Sequence, residues 1–84
     1  YDLSASMGIP GQFENTEFMD AVRSIRSCAT AKGSLIGMHI VEPDQEQLKR
    51  AVEEGYNFIA FSVDIRILDN TMRSAVTVYR ELVQ

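Results

Sequence analysis

The chain has 84 residues, a formal net charge of −4 and an isoelectric point near 4.8. This length allows one small domain, and the acidic balance argues against a nucleic-acid partner, which would require a basic face. No apolar run approaches the roughly 18 residues of a membrane span, and no signal peptide is visible. We therefore predict a cytoplasmic protein that binds neither nucleic acid nor membranes. The lone Cys28 lacks a partner for an internal disulfide and is expected to be a buried or half-buried residue of a reducing compartment.

The first eleven residues, YDLSASMGIPG, contain an acidic residue, then small residues, then a glycine–proline turn. They show neither a helix cap nor a strand pattern, and we predict a loop. In α/β barrels such a loop follows the carboxyl end of a strand, which is where these folds carry their chemistry. Asp2 is therefore a candidate catalytic carboxylate. The alternative, that Asp2 is only a turn residue, is favoured by composition alone.

Three helices are predicted after this loop, over residues 15–32, 44–54 and 65–83. Asn15 is typical of the N-cap of the first helix, and Gly33 of the residue just beyond its end. The second helix is expected to begin near Pro43 and to close at Gly55. Asp64 is expected to cap the third helix.

Two short apolar runs separate these helices, at residues 35–41 and 57–63. Their length and β-branched content are typical of strands that are buried on both faces of a parallel sheet. Strands that alternate with helices predict βαβ units. Two parallel strands alone leave backbone groups unpaired, so the order loop-α-β-α-β-α predicts part of a larger sheet. The remaining strands either precede residue 1 or come from other chains, and we favour the first.

Four stretches carry a more specific pattern: YDLSASMGIPGQ, the helix that ends in AKG, IGMHIVEP and EGYNFIAFSVD. Together they resemble class II pyruvate-dependent aldolases of the HpcH/HpaI type, which include aldolases of 4-hydroxy-2-oxo-heptanedioate and of 2-dehydro-3-deoxy sugar acids. The DLSASMG element is the specific part, because apolar strands recur in every barrel. The resemblance implies an α/β fold in which residues 1–84 are a single segment, the C-terminal third of a (β/α)8 TIM barrel.

The resemblance also implies roles for four residues. Asp2 would be one of two carboxylates that hold a divalent metal (Mg²⁺, Mn²⁺ or Co²⁺), and Tyr1 would offer its backbone N–H to the carboxylate of pyruvate. His39 and Val63 would lie at strand ends that line the pocket for a small aldehyde. The second metal carboxylate and the groups that transfer protons lie upstream of this segment in such enzymes. The implied partners are pyruvate, a small aldehyde and further copies of the chain, joined as a hexamer through the C-terminal helix.

The residue types favour the metal-dependent route over an imine route. Aldol cleavage leaves a pyruvate enolate, whose charge a divalent metal stabilises as a Lewis acid. An imine route needs a lysine at a strand end, whereas Lys32 and Lys49 fall within or at the end of predicted helices. His39 has a second interpretation as a hydrogen-bonded core residue, and the two interpretations stand at even weight.

Three functions remain open at this point. The first is a metal-dependent aldolase, a carbon–carbon lyase that converts 4-hydroxy-2-oxo acids to pyruvate and an aldehyde. The second is a citramalyl- or malyl-CoA lyase, which would need a basic groove for the cofactor phosphates that this segment does not offer. The third is a non-catalytic segment that acts only in assembly. We expect the full-length protein to be active and this segment alone to be inactive.

Overall fold

The computed structural model describes all 84 residues and divides them into two compact units, Tyr1–Ile36 and Gly37–Gln84. The first unit contains helices α1 (Asp2–Ser6) and α2 (Thr16–Ala31). The second contains β1 (Gly37–Ile40), α3 (Gln45–Glu53), β2 (Phe58–Phe61) and α4 (Asp64–Val83). The predicted order α-β-α-β-α after residue 15 is confirmed, whereas the barrel stays a prediction.

The chain does not begin with the predicted loop, because residues 2–6 form helix α1. The Tyr1 carbonyl accepts the Ala5 backbone N–H at 2.9 Å and the Ser4 hydroxyl at 2.8 Å. Ser4 is fully buried, and its Oγ also accepts the Gly11 backbone N–H at 3.1 Å. The Ser4 hydroxyl thus hydrogen-bonds two backbone groups, the Tyr1 carbonyl before it and the Gly11 N–H after it. A helix of five residues is too short to show a periodic pattern, which is why the sequence did not predict it.

Helix α2 begins as predicted at Asn15, whose Oδ1 accepts the Glu17 backbone N–H at 2.9 Å. Lys32 ends the helix, and Gly33 follows with a φ of +65°, a left-handed conformation that glycine adopts without steric cost. No residue of α2 is buried. The prediction for Cys28 is therefore wrong: it is exposed, because nothing within its unit covers that side of the helix.

The sheet of the second unit consists of β1 and β2, which are parallel as predicted but shorter than the predicted runs. In the register, Gly37 pairs with Phe58 and Ile40 with Phe61. A Cβ on Gly37 would lie 2.5 Å from the Phe58 carbonyl oxygen, so this pairing requires glycine. Strand β2 ends at Phe61 because Ser62, with a φ of +57°, turns the chain out of the extended conformation.

Burial alternates along both strands. Ile40 and Ala51 of α3 are the buried apolar residues of the unit, and α3 lies against β1. The alternate residues of the two strands, which point to the other face of the sheet, are exposed; they include His39 and Phe58. The expectation that both faces of the strands are buried is therefore wrong for this chain, because a single layer covers a two-stranded sheet on one side only.

Helix α3 falls within the predicted range 44–54, with Asp44 as its N-cap, whereas Pro43 precedes the cap and is not near the first helical position. The Asp44 Oδ1 accepts the backbone N–H groups of Glu46 and Gln47 at 2.9 and 3.3 Å, and its Oδ2 accepts the Gln47 amide at 3.1 Å. The bonds from Gln47 are the main reason why the pKa of Asp44 is lowered. A lowered carboxyl pKa stabilises the fold at neutral pH, and this contribution is lost as the pH falls through the folded-state pKa.

Helix α4 has Val63 as its N-cap, without a side-chain hydrogen bond. Asp64, the predicted cap, is instead the first helical residue, and its Oδ1 accepts the Ile65 backbone N–H at 2.8 Å. No residue of α4 is buried, and its exposed large apolar side chains include Leu68, Met72, Val76, Tyr79 and Leu82. None of the helices combines the length and the apolar character that a bilayer crossing requires.

Candidate functional site

Polar residues follow both strands at their carboxyl ends. Strand β1 is followed by Val41 and Glu42, and β2 by Ser62, Val63 and Asp64. Parallel strands end at the same edge of their sheet, and open α/β sheets bind ligands at that edge. This edge is therefore the candidate site of the unit.

His39 is hydrogen-bonded to the chain just beyond β2. Its Nε2 lies 3.1 Å from the Ser62 backbone oxygen. A carbonyl oxygen can only accept a hydrogen bond, so Nε2 is the donor in this contact. Nδ1 has no hydrogen-bonding partner, and the side chain is exposed. The interpretation of His39 as a core residue therefore does not hold for this unit.

Ser62 ties the two strand ends together. Its hydroxyl donates to the Val41 carbonyl at 2.8 Å, and its backbone N–H donates to the Ile40 carbonyl at 2.6 Å. Ser62 is only 7% exposed, and its positive φ costs a residue other than glycine about 1–3 kcal/mol. These two bonds, and the bond from His39 to its carbonyl, hold the residue in that conformation.

An ion pair lies close to this edge. Arg66, in the first turn of α4, donates from Nη2 to both carboxylate oxygens of Glu42, at 2.7 and 2.9 Å. The hydrogen bond to Glu42 raises the pKa of Arg66. Both side chains are partly exposed, so solvent screening keeps the energy of the pair small. Its main effect is to hold the segment after β1 close to the start of α4.

An open hollow of about 340 Å³ lies on the strand pair. Its lining residues are Gly37, Met38, His39, Phe58, Ile59 and Ala60. The imidazole of His39 is the polar side chain among them, and it can orient a polar ligand. A larger depression, of about 730 Å³, runs along α4. It is lined by residues of that helix alone, and one helix cannot enclose a ligand.

Tyr1 and Asp2 belong to the first unit. The ring of Tyr1 meets Phe13 edge to face, with centroids 4.9 Å apart, and Phe13 lies 5.6 Å from Phe18. The Asp2 side chain is exposed and lies in the first turn of α1, where an acidic residue is favourable. This position agrees with a purely structural role for Asp2, and its role as a metal ligand stays a prediction.

The implied metal can be tested against the donor groups of this chain. No group of three or more His, Cys, Asp and Glu side chains is arranged to hold a metal ion. Asp2 offers one hard oxygen donor of the kind that Mg²⁺ and Mn²⁺ accept. One carboxylate does not hold such an ion by itself, so the residues of this chain do not make up a metal site on their own.

Sequence reasoning missed three contributors to these arrangements. Ser62 and Ser4 act through backbone contacts, and the pairing of Glu42 with Arg66 joins residues 24 positions apart. Ser62 could have been found as a small polar residue between an apolar strand and a helix, because the chain must turn at such a place. Ser4 stands inside the quoted DLSASMG element, and Glu42 and Arg66 carried no local signal.

The chain resembles one characterised enzyme over most of its length. It is 32% identical over 79 residues to the hydroxypyruvate/pyruvate aldolase of Delftia acidovorans. The aligned region covers 94% of this chain but 29% of that enzyme. No protein-family profile and no solved structure matches the chain. The similarity supports a relationship to pyruvate aldolases, whereas the HpcH/HpaI type and the residue roles stay predictions.

Proposed function

We propose that this chain is the C-terminal segment of a pyruvate aldolase, a carbon–carbon lyase that converts 4-hydroxy-2-oxo acids to pyruvate and a small aldehyde. The similarity to the hydroxypyruvate/pyruvate aldolase over 79 residues carries the proposal. The uncovered face of the β1–β2 sheet and the exposed apolar side chains of α4 support a segment that packs against further structure.

In this proposal the enzyme is a class II aldolase of the HpcH/HpaI type, and Asp2 is one of two carboxylates for Mg²⁺, Mn²⁺ or Co²⁺. When bound, the metal would stabilise the enolate as a Lewis acid. The exposed carboxylate of Asp2 supports this role. The Tyr1 backbone N–H would bind the carboxylate of pyruvate, and the edge-to-face contact with Phe13 would hold that residue in place.

The second unit would contribute the pocket for the aldehyde. His39 lies in β1 and Val63 two residues beyond the end of β2; both are exposed, and His39 but not Val63 lines the hollow on the strand pair. Apolar walls with one polar group are typical of sites for small organic ligands. Val63 would supply apolar contact, and His39 the polar contact.

The experiment that tests the function is an assay of the full-length protein with 4-hydroxy-2-oxo acids and divalent metal. We expect pyruvate and the aldehyde to be released in equal amounts. Cleavage of citramalyl- or malyl-CoA instead would favour a CoA-dependent lyase. Absence of any cleavage, together with absence of metal binding, would favour a segment that acts only in assembly.

We further propose that α4 joins copies of the protein into a homo-oligomer, such as the hexamer implied above. The exposed apolar side chains along α4 support this role. Truncation after Asn70 is expected to dissociate the oligomer while metal binding is retained, as measured by sedimentation velocity and metal titration. Thr77→Ala, in the polar depression along the helix, is the control and should leave the assembly intact. An unchanged sedimentation coefficient after truncation would contradict this role.

A further inference from the structure

We propose that Ser4 is a positioning residue for pyruvate binding: its buried hydroxyl fixes the backbone of Tyr1, whose N–H would bind the carboxylate of pyruvate. This inference rests on the proposed aldolase function and adds to it a residue that does not itself touch the substrate. It is carried by the burial of Ser4 and by the hydrogen bonds that Ser4 makes within the first unit.

The first step concerns the burial of Ser4. Its side chain is fully buried, whereas Ser6 of the same helix is exposed. A buried hydroxyl needs hydrogen-bonding partners, since leaving it without one costs free energy. The Ser4 hydroxyl has two: it donates to the Tyr1 carbonyl at 2.8 Å and accepts the Gly11 backbone N–H at 3.1 Å. Its single proton can go only to the carbonyl, so the direction of each bond is fixed.

The second step concerns the backbone of Tyr1. Its carbonyl accepts the Ala5 N–H at 2.9 Å in addition to the Ser4 hydroxyl, so both of its lone pairs are used. The peptide bond is planar, and a fixed carbonyl therefore fixes the plane that Tyr1 shares with Asp2. Tyr1 itself is 75% exposed, and Phe13 contacts only its ring. The backbone of this residue is thus held by hydrogen bonds and not by burial.

The third step concerns the turn that follows α1. Gly11 has a φ of +75°, which glycine adopts without steric cost, and in this conformation its N–H meets the Ser4 hydroxyl. The Ser4 carbonyl also accepts the Ile9 N–H, at 2.9 Å. Ser4 therefore joins the turn to the Tyr1 carbonyl. Alanine at this position would keep the contact with Ile9 and lose the two contacts of the hydroxyl.

The experiment measures KM and kcat for pyruvate in the exchange of its methyl protons with deuterium, catalysed by the full-length protein. We expect Ser4→Ala to raise KM about tenfold, the factor for one hydrogen bond to a charged group, and to leave kcat nearly unchanged. A role in stability alone would lower the folded fraction, and with it the apparent kcat, without changing KM. A wild-type KM in Ser4→Ala would overturn the proposal. Absence of exchange in the wild type would instead overturn the aldolase function on which it rests.

Two serine variants are the controls. Ser6→Ala removes an exposed hydroxyl from the same helix and should keep the wild-type KM. Ser4→Thr keeps the hydroxyl but adds a methyl group at a fully buried position. We therefore expect it to lower the melting temperature while its KM stays close to that of the wild type. An equal rise of KM in Ser4→Ala and Ser6→Ala would show that any change in α1 weakens pyruvate binding, and would contradict a specific role of Ser4.

A pair of glycine variants tests the same contact without altering Ser4, and it serves if Ser4→Ala fails to fold. Gly8 and Gly11 have φ values of +76° and +75°, and a Cβ at either position would meet no atom within 4 Å. Alanine is therefore strained to a similar degree at both. The Gly11 N–H bonds to the Ser4 hydroxyl, however, and the Gly8 N–H to the Ala5 carbonyl. We expect Gly11→Ala to raise the KM for pyruvate and Gly8→Ala to leave it unchanged. Equal KM values in the two variants would overturn the positioning role of Ser4.

Discussion

Replacing Asp2 by asparagine is expected to lower turnover of the full-length protein by at least about a hundredfold, because loss of even an outer-shell partner of a metal costs up to that factor. Asparagine keeps the size and shape of aspartate but removes the charge that holds a divalent cation. The Asp2 carboxylate is exposed in the first turn of α1, so the substitution should change the thermal stability only slightly. Metal affinity, measured by calorimetric titration, and kcat for pyruvate release should fall together.

Asp20→Asn is a matched control within the same unit. Asp20 is also an exposed aspartate, and it pairs with Arg23 at 3.1 Å on the surface of α2. A solvent-screened ion pair of this kind contributes little to the stability of the fold. Neither metal affinity nor turnover should therefore change in Asp20→Asn. Wild-type turnover in Asp2→Asn, or an equal loss in Asp20→Asn, would remove Asp2 from the metal site.

The 84-residue chain expressed by itself is expected to lack a cooperative unfolding transition. Its buried apolar residues are Ile40 and Ala51, and its two-stranded sheet leaves both outer edges unpaired. Such a small core cannot offset the conformational entropy that folding costs each residue. The helices should be partly formed and should melt gradually.

Circular dichroism at increasing temperature tests this expectation, with the full-length protein as the comparison. The full-length protein should melt in one sharp transition, because further strands would pair the open edges of the sheet and further structure would pack against the exposed apolar side chains of α4. A sharp, concentration-independent transition of the isolated chain would contradict the proposal that it is a segment of a larger domain.

The elements of this fold could be predicted from sequence wherever local signals were strong. Asn15 and Gly33 mark the ends of α2 because capping depends on a few neighbouring residues. The two strands could be predicted as parallel because each is followed by a helix. Their true lengths could not, since the end of β2 depends on the backbone conformation of Ser62, which serine rarely adopts.

The candidate site was less accessible to sequence reasoning. A resemblance marked His39, but only the structure shows which of its nitrogens is engaged, because the partner is a backbone carbonyl 23 residues away. The same limit applies to Ser4, whose contact with Gly11 folds the first residues into a helix where a loop was expected. Backbone donors and acceptors carry no residue-type signal, so such contacts cannot be predicted until the fold is known.

The most direct test of the central claim is the exchange of pyruvate methyl protons with deuterium in heavy water, followed by proton NMR. This partial reaction needs only enolate formation and does not depend on the identity of the aldehyde. We predict exchange by the full-length protein that requires a divalent metal, stops on addition of a chelator and is lost in Asp2→Asn. Absence of exchange in the wild type, with metal and pyruvate in excess, would contradict a pyruvate aldolase.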